Sequence, residues 1–150
     1  ICGTEAALDL LSQYNLHDFA AQEIRVNDII TNGIKDLPGV EIIGPEAANK
    51  RGGICSILLK DLDIQNVGIL MDEVGGVFVR SGLHCVNQWF EPRGNMQGSL
   101  RASAYAYNTE EEAKCFVDNT GVEIDIWIKF TLDKVWIFKR CLLKLFGHIE

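Results

Sequence analysis

The chain has 150 residues, 47% hydrophobic and 23% charged, which is one domain's worth of sequence and enough to bury a core without disulfides or metals. With 21 Asp and Glu against 14 Lys and Arg the net charge is −7, which excludes a general nucleic-acid binder, since that needs a cationic surface to displace counterions from phosphates. No apolar run reaches the roughly 18 residues that cross a membrane and no secretory leader is visible, so a cytoplasmic protein without nucleic-acid or membrane partners is expected.

Residues 4–37 read as helical. Ala6, Ala7, Leu8, Leu10 and Leu11 open an apolar face, and Asn15 to Asp18 break it. Phe19 to Leu37 then resume the helical period, with Ile24, Ile30, Ile34 and Leu37 as the buried stripe. Thr4 is placed either as the N-cap of this helix or in a loop that could hydrogen-bond a phosphate. Pro38-Gly39 ends the stretch. Val40 to Ile43 is a short strand closed by Gly44-Pro45, and "EAANKRGG" is a polar loop in which Arg51 to Gly53 reads as a turn. Ile54 to Lys60 is a second strand, β-branched and largely buried. Val67, Leu70, Met71 and Val74 return to helical spacing, and Gly75-Gly76 stops it.

Gly76 to Arg80 is expected as a third strand running into the loop "SGLHC". Beyond the aromatic pair Trp89-Phe90 and a Pro- and Gly-containing loop from Glu91 to Gly98, "SLRASAYAY" (Ser99 to Tyr107) is a fourth strand. "NTEEEAKCFVDN" has the form of a capped helix, with Asn108 or Thr109 as cap and Glu110 to Glu112 in the first turn, where the helix dipole favours negative charge. Asn119-Thr120-Gly121 reads as an interruption. After it Val122, Ile124, Ile126, Ile128, Phe130 and Leu132 recur with a strand's period of two, and "VWIFKRCLLKLF" reads as a helix with a basic face against a partner surface. The expected fold is α+β: a small, mostly antiparallel sheet of about four strands with helices on one face. It occupies residues 1–120, and 121–150 form an unassigned extension.

The cysteines Cys2, Cys55, Cys85, Cys115 and Cys141 are odd in number and scattered. They make neither a CxxC pair nor a zinc-ligand pattern with His17, His84 and His148, so no metal site is expected and a reduced setting is the simplest reading. Cys85 stands out because Gly82 permits an unusual turn just past a strand end, and because Arg80 and His84 are near enough to favour a thiolate. Read from the residues alone it remains either a small buried hydrophobe or a reactive thiol. Arg101, inside a small apolar strand, is either an outward-pointing edge charge or a guanidinium fork for a carboxylate.

The segments "RGGICSILLKDLDIQNVGILMDEVGGVFVRSGLHC" and "SLRASAYAYNTEEE" resemble the C-terminal small domain of cysteine desulfurases, in the Suf-type, short-loop branch of the class V aminotransferase family. The resemblance runs from Ala6 to Asp118 and implies the C-terminal fold of fold type I pyridoxal phosphate enzymes. It places Cys85 on the nucleophile that takes sulfur from L-cysteine as a persulfide and releases alanine, for iron–sulfur cluster assembly or another sulfur-transfer route. Arg101 falls on the substrate-carboxylate arginine, Arg80 on a supporting substrate-binding arginine at the base of the loop, and His84 on the histidine directly before the cysteine. Thr4 falls on a threonine that reaches the cofactor phosphate of the partner in a homodimer. Two departures accompany the match: Leu83 stands where many relatives have a second histidine, and Glu5 alone separates Thr4 from "AALDLL" where the family has about ten residues, longer than an ordinary tight connection. The implied cofactor is pyridoxal 5'-phosphate, held mainly by a large lysine-bearing domain not present in this chain, so the chain alone is not expected to turn over. The implied partners are L-cysteine, a sulfur-acceptor protein and a second copy of the full-length enzyme. A selenocysteine lyase or other class V enzyme of the same fold, and a non-catalytic sulfur-carrier or interaction module, are the alternatives.

Overall fold

Asn15 divides the N-terminal helical stretch. Its side-chain oxygen accepts the N–H of His17 at 3.1 Å, satisfying one of the free donors that open a helix. The result is α1 (Cys2–Leu11) followed by α2 (Leu16–Ile34). The computed structural model describes residues 2–122 and 124. Next come β1 (Val40–Ile42), β2 (Ile54–Leu59), α3 (Ile64–Glu73), β3 (Arg80–Gly82), a single helical turn α4 (Asn87–Phe90), β4 (Ser99–Ser103) and the helix α5 (110–122).

The strands form one antiparallel sheet in the order β1-β2-β4-β3. Its two faces differ sharply. Cys55, Ile57 and Leu59 of β2 and Leu100 and Ala102 of β4 point to one side and are buried. There they meet Val26, Ile30 and Ile34 of α2, Ile64, Val67 and Met71 of α3, and Ala113 and Phe116 of α5 in a single core. Side chains of this size contribute roughly 1.5–3 kcal/mol each on burial, so the register is locked. A slip of one residue would carry Arg101 into the core and Leu100 out to water. The other face carries Glu41, Ile54, Ser56, Leu58 and Arg101, and among the described residues only the single turn α4 borders it, across a cavity. The α+β fold expected from the sequence, with helices on one face of a four-stranded sheet, is the fold observed.

Several boundaries move, each for a local reason. α3 begins a turn earlier than the apolar spacing suggests, because Asp63 caps it by accepting the N–H groups of Gln65 and Asn66. The third strand pairs over Arg80–Gly82, not Gly76–Arg80. Upstream, Val77 to Val79 line a cavity with Ala102 to Ala104 instead of pairing with them. β4 stops at Ser103, short of "YAY", because the Asn108 side chain captures the N–H of Tyr105 at 2.9 Å and folds a turn there. The expected loop from Glu91 to Gly98 begins with a 3₁₀ turn at Glu91–Arg93. Thr4 lies inside α1 and is not its cap.

α5 starts as anticipated. Thr109 Oγ1 accepts the N–H of Glu112, and the Glu112 carboxylate accepts the N–H of Thr109 in return, a reciprocal cap. The interruption expected at Asn119-Thr120-Gly121 is absent, and the helix runs through to 122. Thr120 Oγ1 donates to the Phe116 carbonyl and Asn119 Nδ2 to the Cys115 carbonyl, so both polar groups are satisfied by the preceding helical turn rather than by a break. Val122 and Ile124 are helical rather than extended, and Ile124 joins the core. The rest of the alternating segment and "VWIFKRCLLKLF" lie outside the described residues.

Candidate active site on the open sheet face

Antiparallel register sets Ser56, Arg101 and Arg80 side by side across β2, β4 and β3. Residues directly opposite share a face, so two cations stand together on the open side of the sheet. Like charges in that position repel, an arrangement that favours an anion between or above them. Ile54, Ser56, Ser99 and Arg101 floor a cavity of ≈ 360 Å³ whose walls include His84, Val86, Trp89 and Phe90. Among the described residues that line it, none is acidic. Arg93 stacks on Trp89, 4.1 Å from the ring centroid, and Trp89 meets Phe90 edge-on at 4.8 Å, which fixes the aromatic wall.

The "SGLHC" loop closes with a tight turn. The Val86 N–H donates to the Leu83 carbonyl at 2.9 Å, and the two central residues have φ of 51° at His84 and 62° at Cys85. Positive φ at both central positions is the signature of a type I′ turn. Glycine suits such a turn, whereas a cysteine there carries strain of order 1–3 kcal/mol. Cys85 is a free thiol and exposed. The turn is braced from below: Gly98, at φ 89°, packs its backbone so closely on Gly82 and Leu83 that an added Cβ would overlap the Gly82 carbonyl. Asn95 holds Gly98 there by accepting the N–H groups of Gln97 and Gly98 and donating to the Gly98 carbonyl.

His84 is anchored by Ser99. Its Nε2 lies 3.0 Å from the Ser99 carbonyl and 3.1 Å from the Ser99 hydroxyl. A carbonyl can only accept, so Nε2 carries the proton and Nδ1 the bare lone pair. Burial lowers the His84 pKa below 6.5, and the charges of Arg101 and Arg80 push it the same way, against the opposing Ser99 bond. The ring is therefore neutral at pH 7. Of the two residues read as favouring a thiolate at Cys85, Arg80, exposed at the start of β3, is the one with a permanent charge.

Of the site residues read from the sequence, the structure groups Arg101 and His84 around one cavity, Arg80 opposite Arg101, and Cys85 next to His84. Thr4 sits exposed on α1 and lines none of these walls. Arg51, singled out in "RGG", is part of a turn and braces β2 on α2 by donating to Cys55 Sγ and Thr31 Oγ1. Cys55 is buried, and burial raises its thiol pKa. Ser99 and Asn95 were not anticipated. Ser99 was within reach, since positions i and i+2 of a strand share a face and it stands two residues before Arg101. Among the described residues no cluster of three or more His, Cys, Asp or Glu is arranged to hold a metal ion, and no helix is long and apolar enough to cross a membrane.

Comparison with known proteins converges on one group. The family model described as Aminotransferase class-V matches residues 1–116. A probable cysteine desulfurase from Streptomyces coelicolor is 33% identical over 116 residues, covering 77% of this chain and 27% of that protein. A cysteine desulfurase from Haloferax volcanii is 30% identical over 116 residues, covering 77% and 26%. The chain thus spans about a quarter of the length of these curated relatives. Among solved structures, the apo cysteine desulfurase from Thermococcus onnurineus superposes with a TM-score of 0.73 at 27% identity, over 80% of this chain and 29% of that one. The cysteine desulfurase CsdA from Escherichia coli gives 0.72 at 19% identity, over 81% and 29%, a likeness of fold.

Proposed function

The chain belongs to the class-V aminotransferase family, and we propose that it forms the sulfur-accepting part of a Suf-type cysteine desulfurase. Cys85 is the nucleophile, Arg101 binds the substrate carboxylate through its guanidinium fork, and Arg80 adds positive charge beside the cysteine turn. The observation that carries this reading is the strained turn itself. A thiol is held out at φ 62°, one residue from a cavity that contains an arginine and no acid, where an inert cysteine would have no reason to be. The similarity to proteins named cysteine desulfurases supports it.

In this reaction the Cys85 thiolate attacks the substrate sulfur. A sulfur–sulfur bond forms as the substrate's Cβ–S bond breaks, the electron pair stays with carbon, and that carbon takes up a proton. Alanine leaves and Cys85 keeps the persulfide, which its exposure opens to a sulfur-acceptor protein of the cytoplasm, for iron–sulfur cluster assembly or another sulfur-transfer pathway. Pyridoxal phosphate, when bound, supplies the electron sink for that bond cleavage. The cavity fits the acid end of an amino-acid substrate rather than the cofactor's anchor, because an arginine with a free Nε–H lines it and no lysine does, among the described residues. Thr4, exposed on α1, is assigned to a cofactor phosphate of the second subunit of a homodimer on the family resemblance alone.

The test is persulfide trapping in the protein expressed from its natural reading frame, loaded with pyridoxal phosphate and L-cysteine and mapped by mass spectrometry. Extra sulfur on Cys85, with buried Cys55 and with Cys115 unmodified, supports the assignment. Alanine formed while Cys85 stays unmodified overturns it.

A further inference from the structure

Two buried polar atoms at the site have no hydrogen-bond partner among the described residues: Nδ1 of His84 and Nε of Arg101. They are complementary. Nε of a guanidinium always carries a proton to donate, and the tautomer imposed by Ser99 leaves Nδ1 as a bare acceptor. Both residues line the same cavity. A buried donor or acceptor left unpaired costs about 1–3 kcal/mol, so two such groups of opposite kind in one cavity satisfy each other at little expense, through a small side-chain rotation or one bridging water.

We propose that His84 is a positioning residue for Arg101: the Nδ1 lone pair takes the Nε–H of Arg101, turning the guanidinium so that its two Nη groups face the cavity. The relay runs Ser99, His84, Arg101, with Ser99 and Arg101 two residues apart on the same face of β4. It explains why a residue that is neutral at pH 7 and already spent on one side by Ser99 is held at φ 51° in a strained turn. The arrangement also selects a binding geometry. With Nε engaged by His84, a carboxylate must approach end-on across the two Nη atoms, not side-on across Nε and one Nη. A substrate with a single planar carboxylate at its end fits that fork.

This inference rests on the reading of Arg101 as a carboxylate binder, but its test does not. The measurement is ¹⁵N NMR of the full chain. The wild-type His84 ring is expected to show a protonated Nε2 and an unprotonated Nδ1. Two variants then separate the ring's two nitrogens: His84→Asn places an amide oxygen where Nδ1 was, and His84→Gln retains only the group that meets Ser99. The Nε–H of Arg101 is expected to exchange with water at least about tenfold faster in His84→Gln than in His84→Asn, the effect of losing one hydrogen bond, with Arg93 Nε–H as the exposed reference. Equal exchange in the two variants overturns the proposal. So does a wild-type His84 protonated at Nδ1, a result that needs no variant to fold. If Cys85 proves not to carry sulfur, the functional reading falls while these spectra stand.

Discussion

Arg80 and Arg101 occupy directly opposite positions on the β3–β4 ladder, so the open face of the sheet presents paired cations in a chain whose net charge is −7. Opposed like charges destabilise a ladder by about 0.2–1 kcal/mol, and nothing in the fold requires them there. Arg101→Met is therefore expected to leave the thermal midpoint unchanged or slightly raised while cysteine turnover falls by about a hundredfold or more. Arg101→Lys keeps the charge and loses the fork, so its KM for cysteine should rise by at least about tenfold. A stable Arg101→Met protein with wild-type KM would contradict the assignment.

The strain at Cys85 has its own signature. At φ 62° an L-residue pays about 1–2 kcal/mol that glycine does not, and a β-branched residue pays most. Cys85→Gly is expected to match the wild type in thermal unfolding to within about 1 kcal/mol, the unfolded-chain entropy of glycine offsetting the relief. Cys85→Val should lose about 1–2 kcal/mol. Equal stability of the two variants would show that the turn is not strained.

Gly98 and Gly94 both have positive φ, 89° and 68°, but their surroundings differ. A Cβ on Gly98 overlaps the Gly82 carbonyl, whereas one on Gly94 meets open space. Gly94→Ala should cost about 1 kcal/mol for the backbone alone, and Gly98→Ala about 2–3 kcal/mol because backbone must also move. Urea unfolding measures both. Since Gly98 supports the cysteine turn, the alkylation rate of Cys85 should change in Gly98→Ala and not in Gly94→Ala.

Protonation of His84 is unfavourable in the folded protein, where its pKa is lowered, whereas the unfolded chain keeps the ordinary value of 6.5. Between those two values the unfolded chain binds more protons, so stability rises with pH across that window. The contribution of His84 is complete above 6.5 and is lost as pH falls through the window toward the lowered folded value. The groups facing the ring are Arg101 and Ser99 of β4 and Arg80 of β3, with Cys85 next in the loop. The stability difference between wild type and His84→Gln, from urea midpoints, should be larger at about pH 7.5 than at about pH 5. A difference that grows on acidification would reverse the sign and rule this out.

Much of the fold was legible because its signals are local. Asn15, Thr109 and Glu112 act through hydrogen bonds within a few residues of themselves, and Gly75-Gly76 follow directly on the end of α3, whereas α2 ends at Ile34, a turn before Pro38-Gly39. The misreadings have the same origin. The interruption expected at Asn119-Thr120 follows from turn propensities, which the helix overrides by giving those side chains carbonyls one turn back. The strand expected at Gly76 to Arg80 follows from β-propensity, but a strand exists only where another offers a ladder, and on the edge away from β2, β4 offers one only to Arg80–Gly82.

The sequence by itself determined the α+β class, the cap at Thr109 and the burial of Ile30 and Ile34, but not that of Val26, since these rest on short-range patterns of polarity and backbone preference. Cys85, Arg101, Arg80 and His84 are singled out by the family resemblance, the residues alone leaving Cys85 and Arg101 open. Only the tertiary structure decided that Arg80 faces Arg101, that Ser99 fixes the His84 tautomer, and that Gly98 presses on the cysteine turn. Those relationships join residues 15 to 21 positions apart in the chain. They arise when burial of Leu100 and Ile57 locks the register of the sheet, because register, unlike propensity, is a property of two strands and not of one.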